Sequence, residues 1–143
     1  WESRNYPKEK YVEIANKLQK NCLIIWGNES EKIKANWMAQ QSEFIEVAPK
    51  LTLDELKGVI KNSTLLIGND TGPSHMAWAM NIPSIILFGP TPINRVYQTK
   101  INRVLKSSSK VDHLNLDKND YSIKEIRVDE VVKISKELLE VNL

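Results

Sequence analysis

The sequence predicts an α/β fold: a Rossmann-like parallel sheet with helices on both faces. Two observations carry this. Short, wholly apolar runs recur along the chain, separated by amphipathic segments of about 10–15 residues, the spacing of βαβ units. The apolar runs do not alternate with polar residues, as expected of strands covered on both faces.

Taken in order, Tyr11, Ile14, Ala15 and Leu18 recur at helical spacing, which predicts a helix from about Pro7 to Gln19 with Pro7 in its first turn. Cys22-Leu23-Ile24-Ile25-Trp26 reads as a strand stopped by Gly27-Asn28. Glu29 to Gln40 reads as a helix with Ile33 and Trp37 on one face, and Phe44–Val47 as a strand ended near Pro49. Thr52-Leu53-Asp54-Glu55 has the form of a capping box, and Leu53, Leu56 and Ile60 give that helix its buried face. Leu65–Gly68 and Ser84–Phe88 read as strands flanking a helix from Pro73 to Met80. Val104-Leu105 suggests one more strand, and Val131, Ile134 and Leu138 a final helix. Trp26, Trp37 and Trp78 are expected in the core. Lys106–Lys110 reads as a mobile loop, and Asp112–Asp120 lacks periodicity.

The 143 residues fit one domain. A net charge of +2, with Lys and Arg interleaved among Asp and Glu, argues against nucleic acid. Cys22 is the single cysteine, so no internal disulfide can form. No apolar run approaches the ~20 residues of a membrane-spanning helix. The chain starts at Trp1 rather than Met, and is expected to be a fragment of a longer protein.

In open α/β sheets, ligands bind outside the carboxyl ends of the strands. Three stretches place polar or Gly-rich residues there: Gly27–Glu31, Gly68–His75 and Gly89–Arg95. The turn Asp70-Thr71-Gly72-Pro73 opens a helix, whose N-terminus suits a phosphate. Gly72 lets a ligand approach the backbone closely. Asp70 does not suit a phosphate, but a carboxylate accepts well from neutral hydroxyls. An anion cradle beside a carboxylate fits a sugar attached to a diphosphate. His75, one turn into the helix, can donate to a phosphate or sugar oxygen. Each residue has a plainer reading: Asp70-Thr71 as a helix cap, His75 as a packing histidine, Gly89–Pro92 as a turn, Glu31 as a solvated carboxylate. Arg95, Lys100, Arg103 and Lys106 form a modest basic cluster that fits either a solvated face or anionic lipid.

In combination these stretches resemble a specific signature. Asp70-Thr71-Gly72-Pro73-Ser74-His75-Met76-Ala77, then Ile82-Pro83 and Leu87-Phe88-Gly89-Pro90-Thr91-Pro92, resemble glycosyltransferase family 9, the heptosyltransferases of lipopolysaccharide core synthesis. Trp26-Gly27-Asn28, Glu31 and Pro49–Leu53 extend the resemblance. It implies the C-terminal half of a GT-B architecture, a donor-binding domain over residues 1–143. The N-terminal acceptor domain and the catalytic base would lie outside this chain, which then holds no catalytic residue of its own. The resemblance implies that Asp70 contacts the heptose, Thr71 and Gly72 cradle the diphosphate, and His75 stands nearby. It places Glu31 on the adenosine ribose and Leu51 against adenine. Arg4 takes the place of a diphosphate-binding lysine, a departure that keeps the charge. The implied donor is ADP-heptose, most as in heptosyltransferase I, with inversion at the anomeric carbon and Kdo–lipid A as the lipid-anchored acceptor. No cofactor or metal is expected, and the enzyme would work at the cytoplasmic face of the bacterial inner membrane with at most peripheral membrane contact. A related transferase using another nucleotide sugar, or a stand-alone nucleotide-binding domain, are the alternatives.

Overall fold

The computed structural model describes residues 2–89, 98–107 and 116–141. After a 3-10 turn at Glu2–Arg4 the elements run α1 (Lys8–Leu18), β1 (Cys22–Ile24), α2 (Glu29–Gln41), β2 (Ile45–Val47), α3 (Leu53–Lys61) and β3 (Leu66–Asn69). They continue with α4 (Gly72–Ala79), β4 (Ser84–Phe88), β5 (Asn102–Lys106), a second 3-10 turn at Ser122–Glu125, and α5 (Val128–Val141). The α/β alternation expected from the sequence is present, and every strand pairing among the described residues is parallel.

The described strands form two hydrogen-bonded sheets rather than one. β1 pairs with β2, and β3, β4 and β5 pair in that order. β1 is shorter than its apolar run. The Trp26 indole N–H donates to the Ala48 carbonyl at 2.7 Å, and the Ala48 N–H closes on Ile24 O at 2.9 Å, so the chain leaves the ladder after Ile24.

β4 is the centre of the molecule, and Ser84–Phe88 are all buried. Alternate side chains face opposite layers. Ile85 and Leu87 meet Ile14 of α1 and Val131 and Leu138 of α5. Ile86 and Phe88 meet Trp78 of α4 and Val104 of β5 on the other face. A further apolar cluster joins Val12 and Ala15 of α1, Ala35 and Met38 of α2, and Ile45 of β2. The half-buried Tyr11 packs against both this cluster and the one around β4, so α1 binds the two sheets into one body.

The structure corrects several details. α2 buries Ala35 and Met38, leaving Ile33 67% exposed and Trp37 half-buried under the Lys8 ammonium. Leu53 is 58% exposed because it is the first helical residue after the cap, ahead of the face that Leu56 and Ile60 turn inward. Trp26, Trp37 and Trp78 are half-buried rather than core. Leu23, opposite Glu46 in the parallel register, is 44% exposed, so this face of β1 is not covered as expected. The capping box at Thr52 and Glu55 forms as expected, with both reciprocal hydrogen bonds. The Glu55 carboxyl is held below its ordinary value by the Thr52 N–H it accepts from. Of the stretches read as loops, residues 108–115 lie outside the described residues, and Lys106 is the last residue of β5.

Candidate functional site

The site begins where β3 ends. Leu66–Asn69 runs parallel to β4, and the chain turns at Asp70-Thr71 into α4. Thr71 occupies the cap position in extended geometry, but its side chain makes no capping hydrogen bond. Helix α4 starts at Gly72, with Pro73 in its first turn. The first turn of a helix has backbone N–H groups without intrahelical partners. Among the described residues, and apart from its chain neighbours and the helix's own backbone, no atom lies within 4 Å of where a Gly72 side chain would start.

Asp70 is not the helix cap. Its Oδ1 lies 2.7 Å from His75 Nε2. A carboxylate only accepts, so Nε2 carries the proton. Nε2 is thereby committed to Asp70 and does not donate to a phosphate. The Asp70 side chain is 19% exposed and the His75 side chain 42%, so the pair stands at the surface of the turn. The histidine therefore neither packs in the core nor waits unengaged; it holds the carboxylate.

Ser74 fixes the same turn from within. Its buried hydroxyl donates to the Asn69 carbonyl at 2.6 Å. A side chain at Gly68 would start 2.7 Å from that oxygen, so glycine is what lets α4 come this close to β3.

The residues that follow Arg4 are tied to this turn. The Tyr6 N–H donates to Asn69 Oδ1 at 2.9 Å, and Asn69 Nδ2 donates to Asn5 Oδ1 at 3.4 Å. Arg4 itself closes the 3-10 turn and is half-buried. Glu31 stands at the other strand end, in the first turn of α2, where its N–H donates to the Asn28 cap at 2.9 Å. Its carboxylate lies over Gly27, 3.4 Å from where a side chain there would start. Glu31 is exposed, as a ligand-facing or solvated carboxylate would be. Leu51 is half-buried before α3 and belongs to none of the apolar clusters. The third stretch is described only at Gly89, which is buried; residues 90–95, including Arg95, lie outside the described residues. Lys100 and Lys106 are exposed, and Arg103 faces Glu137 at 3.6 Å. No helix is long and apolar enough to cross a membrane among the described residues.

The structure thus joins Asp70 directly to His75 and links the residues that follow Arg4 to their turn through Asn69. It leaves Glu31 and Leu51 at the neighbouring strand ends. Asn69 does not stand out in the sequence, because Gly68-Asn69-Asp70 has the composition of a turn. Its position as the last residue before the Asp70 turn, at a carboxyl strand end, is the available signal.

Residues 1–121 match the profile of glycosyltransferase family 9 (heptosyltransferase). The chain belongs to this family. Lipopolysaccharide heptosyltransferase 1 of Campylobacter coli is 36% identical over 150 residues, covering 96% of this chain and 43% of that protein. The Salmonella typhimurium protein of the same name is 26% identical over 119 residues, covering 81% of this chain and 38% of its own length. Among solved structures, E. coli heptosyltransferase WaaC with ADP superposes with a TM-score of 0.80 at 21% identity, covering 96% of this chain and 41% of that one. E. coli ADP-heptose lps heptosyltransferase II gives a TM-score of 0.77 at 20% identity, with 98% and 43% covered. At that identity the structural likeness establishes the fold. The chain spans about two fifths of the length of these relatives. The family expected from the Asp70–Ala77 and Phe88–Pro92 motifs is the one it belongs to.

Proposed function

We propose that this chain is the C-terminal, donor-binding half of a GT-B heptosyltransferase. The whole enzyme would transfer heptose from ADP-heptose to the Kdo–lipid A inner core, at the cytoplasmic face of the inner membrane. The observation that carries this reading is the Asp70 turn: a hydroxyl-accepting carboxylate held by His75 beside a helix N-terminus. The first feature suits a sugar and the second a diphosphate. The solved relatives with ADP and with ADP-2-deoxy-2-fluoro heptose support the choice of nucleotide and sugar.

On this reading Asp70 accepts from heptose hydroxyls. The N-terminus of α4, through Thr71 and Gly72, and the Arg4 guanidinium take the diphosphate. Glu31 accepts from both ribose hydroxyls, and Leu51 packs on adenine. In the reaction an acceptor hydroxyl attacks the anomeric carbon from the face opposite the diphosphate. The bond to the diphosphate oxygen breaks, ADP leaves, and the hydroxyl proton passes to a base in the other domain. The charge growing on the leaving oxygen is met by Arg4 and the helix N-terminus, which are already in place when the charge develops.

Calorimetric titration of the full gene product with ADP tests this. Wild type is expected to bind, and Glu31→Ala to bind about tenfold more weakly, as for the loss of hydrogen bonds to a charged acceptor. Equal affinity of the two would remove Glu31 from the site. Competition of ADP-heptose against UDP-sugars in a transfer assay checks the donor, and preference for a UDP-sugar would point to a related transferase.

A further inference from the structure

We propose that Asn69 is a positioning residue, which sets where Arg4 stands relative to the Asp70 turn. The inference rests on the donor-site reading above for the role of Arg4 and adds a residue that this reading leaves out.

Residues 2–6 lie against the core through Ser3, which is fully buried, and Tyr6, whose ring packs edge-on to Tyr11. They belong to no strand and form only a 3-10 turn, closed by the Asn5 N–H on Glu2 O at 3.0 Å. Asn69 supplies tertiary anchors. Its Oδ1 accepts from the Tyr6 N–H and from the Tyr11 hydroxyl, both at 2.9 Å. Tyr6 is 3% exposed, so its N–H has little access to water and needs an acceptor of this kind. Burial pushes the Tyr11 hydroxyl far above its ordinary range, which keeps it a donor at any working pH. The Tyr6 hydroxyl is committed elsewhere, to Ile126 O at 2.5 Å.

On its other side the Asn69 amide donates to Asn5 Oδ1 at 3.4 Å, and Asn5 Nδ2 donates to Glu2 Oε2 at 3.2 Å. Glu2 Oε1 receives Lys34 of α2 at 2.6 Å. A polar chain therefore runs from α2, the helix of Glu31, through Glu2 and Asn5 to Asn69 at the tip of β3. Arg4 lies inside it, between residues pinned on both sides. No ladder joins the two sheets among the described strands, so this chain is a polar link between the Glu31 end and the Asp70 end. The Asn69 carbonyl also receives Ser74, so one residue holds the Arg4 segment with its side chain and the first turn of α4 with its backbone.

The test uses the full gene product and two readouts. Hydrogen–deuterium exchange without ligand compares a peptide covering residues 2–6 with one covering β4. Asn69→Ala is expected to speed exchange in the first about tenfold and leave the second unchanged. Asn69→Asp, which keeps the accepting oxygen, is expected to restore most of the protection. The second readout is a double-mutant cycle on ADP affinity. Arg4→Ala is expected to cost about tenfold in the wild-type background and less than twofold in Asn69→Ala. Unchanged exchange at residues 2–6, or a rise at β4 as well, overturns the proposal. So do additive losses in the cycle with ADP binding intact, and the donor site then stands. If wild type takes up no ADP, the donor-site reading falls, and Arg4's role with it.

Discussion

Replacing Asp70 by Asn separates the two halves of the proposed ligand. The substitution keeps shape and, with its amide oxygen turned to His75 Nε2, keeps the 2.7 Å pairing, so the turn should stay folded. What is lost is the charge. A hydrogen bond to an ionised acceptor contributes about 1.5–3 kcal/mol, against about 0.5–1.5 for a neutral one. Only 19% of the Asp70 side chain is exposed, so solvent screens the charge incompletely and the difference belongs near about 1.4 kcal/mol, or about tenfold on the sugar contact. The same carboxylate repels the diphosphate. Two unit charges about 8 Å apart at an effective dielectric of ~20 interact by about 2 kcal/mol, cut to about 1 by physiological salt. Removing it should therefore tighten ADP about fivefold. ADP-heptose gains this and loses the sugar contact, for a net weakening of about twofold, so the ratio of the two affinities falls about tenfold. Titration of Asp70→Asn with ADP and ADP-heptose in parallel reads that ratio directly. An unchanged ratio would falsify the sugar contact, and weaker ADP binding would refute the electrostatic reasoning.

Gly68→Ala would set a methyl group 2.7 Å from Ser74 Oγ, whose hydrogen bond to Asn69 O would have to give way. The expected loss is about 2 kcal/mol, which lowers the melting midpoint by about 4–8 °C. The loss should shrink on a Ser74→Ala background, and an equal loss there would show that the crowding lies elsewhere. Glu2 carries the acid sensitivity of the Arg4 segment, because the hydrogen bond from Lys34 holds its carboxyl below the ordinary 4.5. A depressed folded value means a stabilisation that is full above the unfolded value and lost as pH falls through the folded one. The wild-type advantage in melting midpoint over Glu2→Gln should thus be present at neutral pH and vanish as the medium is acidified below 4.5. A gap that persists unchanged to low pH would remove the Lys34 pairing from the account.

What could be read in the sequence, and what could not, divides along one physical line. Apolar burial leaves a trace in the sequence, continuous for covered strands and periodic for helices, so β4, with five consecutive buried residues, is legible to the residue, and the helices nearly so. Polar residues that work through hydrogen bonds leave none. Only Val104-Leu105 of β5 is legible, because its first residue, Asn102, is polar. Yet Asn102 is 2% exposed, with its amide donating to Ile82 O at 2.8 Å and Ser84 Oγ at 2.9 Å, so a side chain builds part of the strand's pairing. Asn69 is hidden for the same reason, since composition alone makes it a turn residue. The Asp70 turn is legible because Asp, Thr, Gly, Pro and His, each ordinary in a turn or cap when taken singly, together form a family motif. The partner of Asp70 is not legible, because spacing cannot tell a histidine that donates to a ligand from one that donates to its own turn. Only the 2.7 Å geometry decides that, and it alters the chemistry expected of the site. With Nε2 committed to Asp70, the proposed reaction draws on backbone N–H groups and Arg4 to meet the diphosphate. The placement of Arg4 then becomes the quantity on which leaving-group stabilisation depends, and the Asn69 side chain is one of the anchors of the segment that carries it.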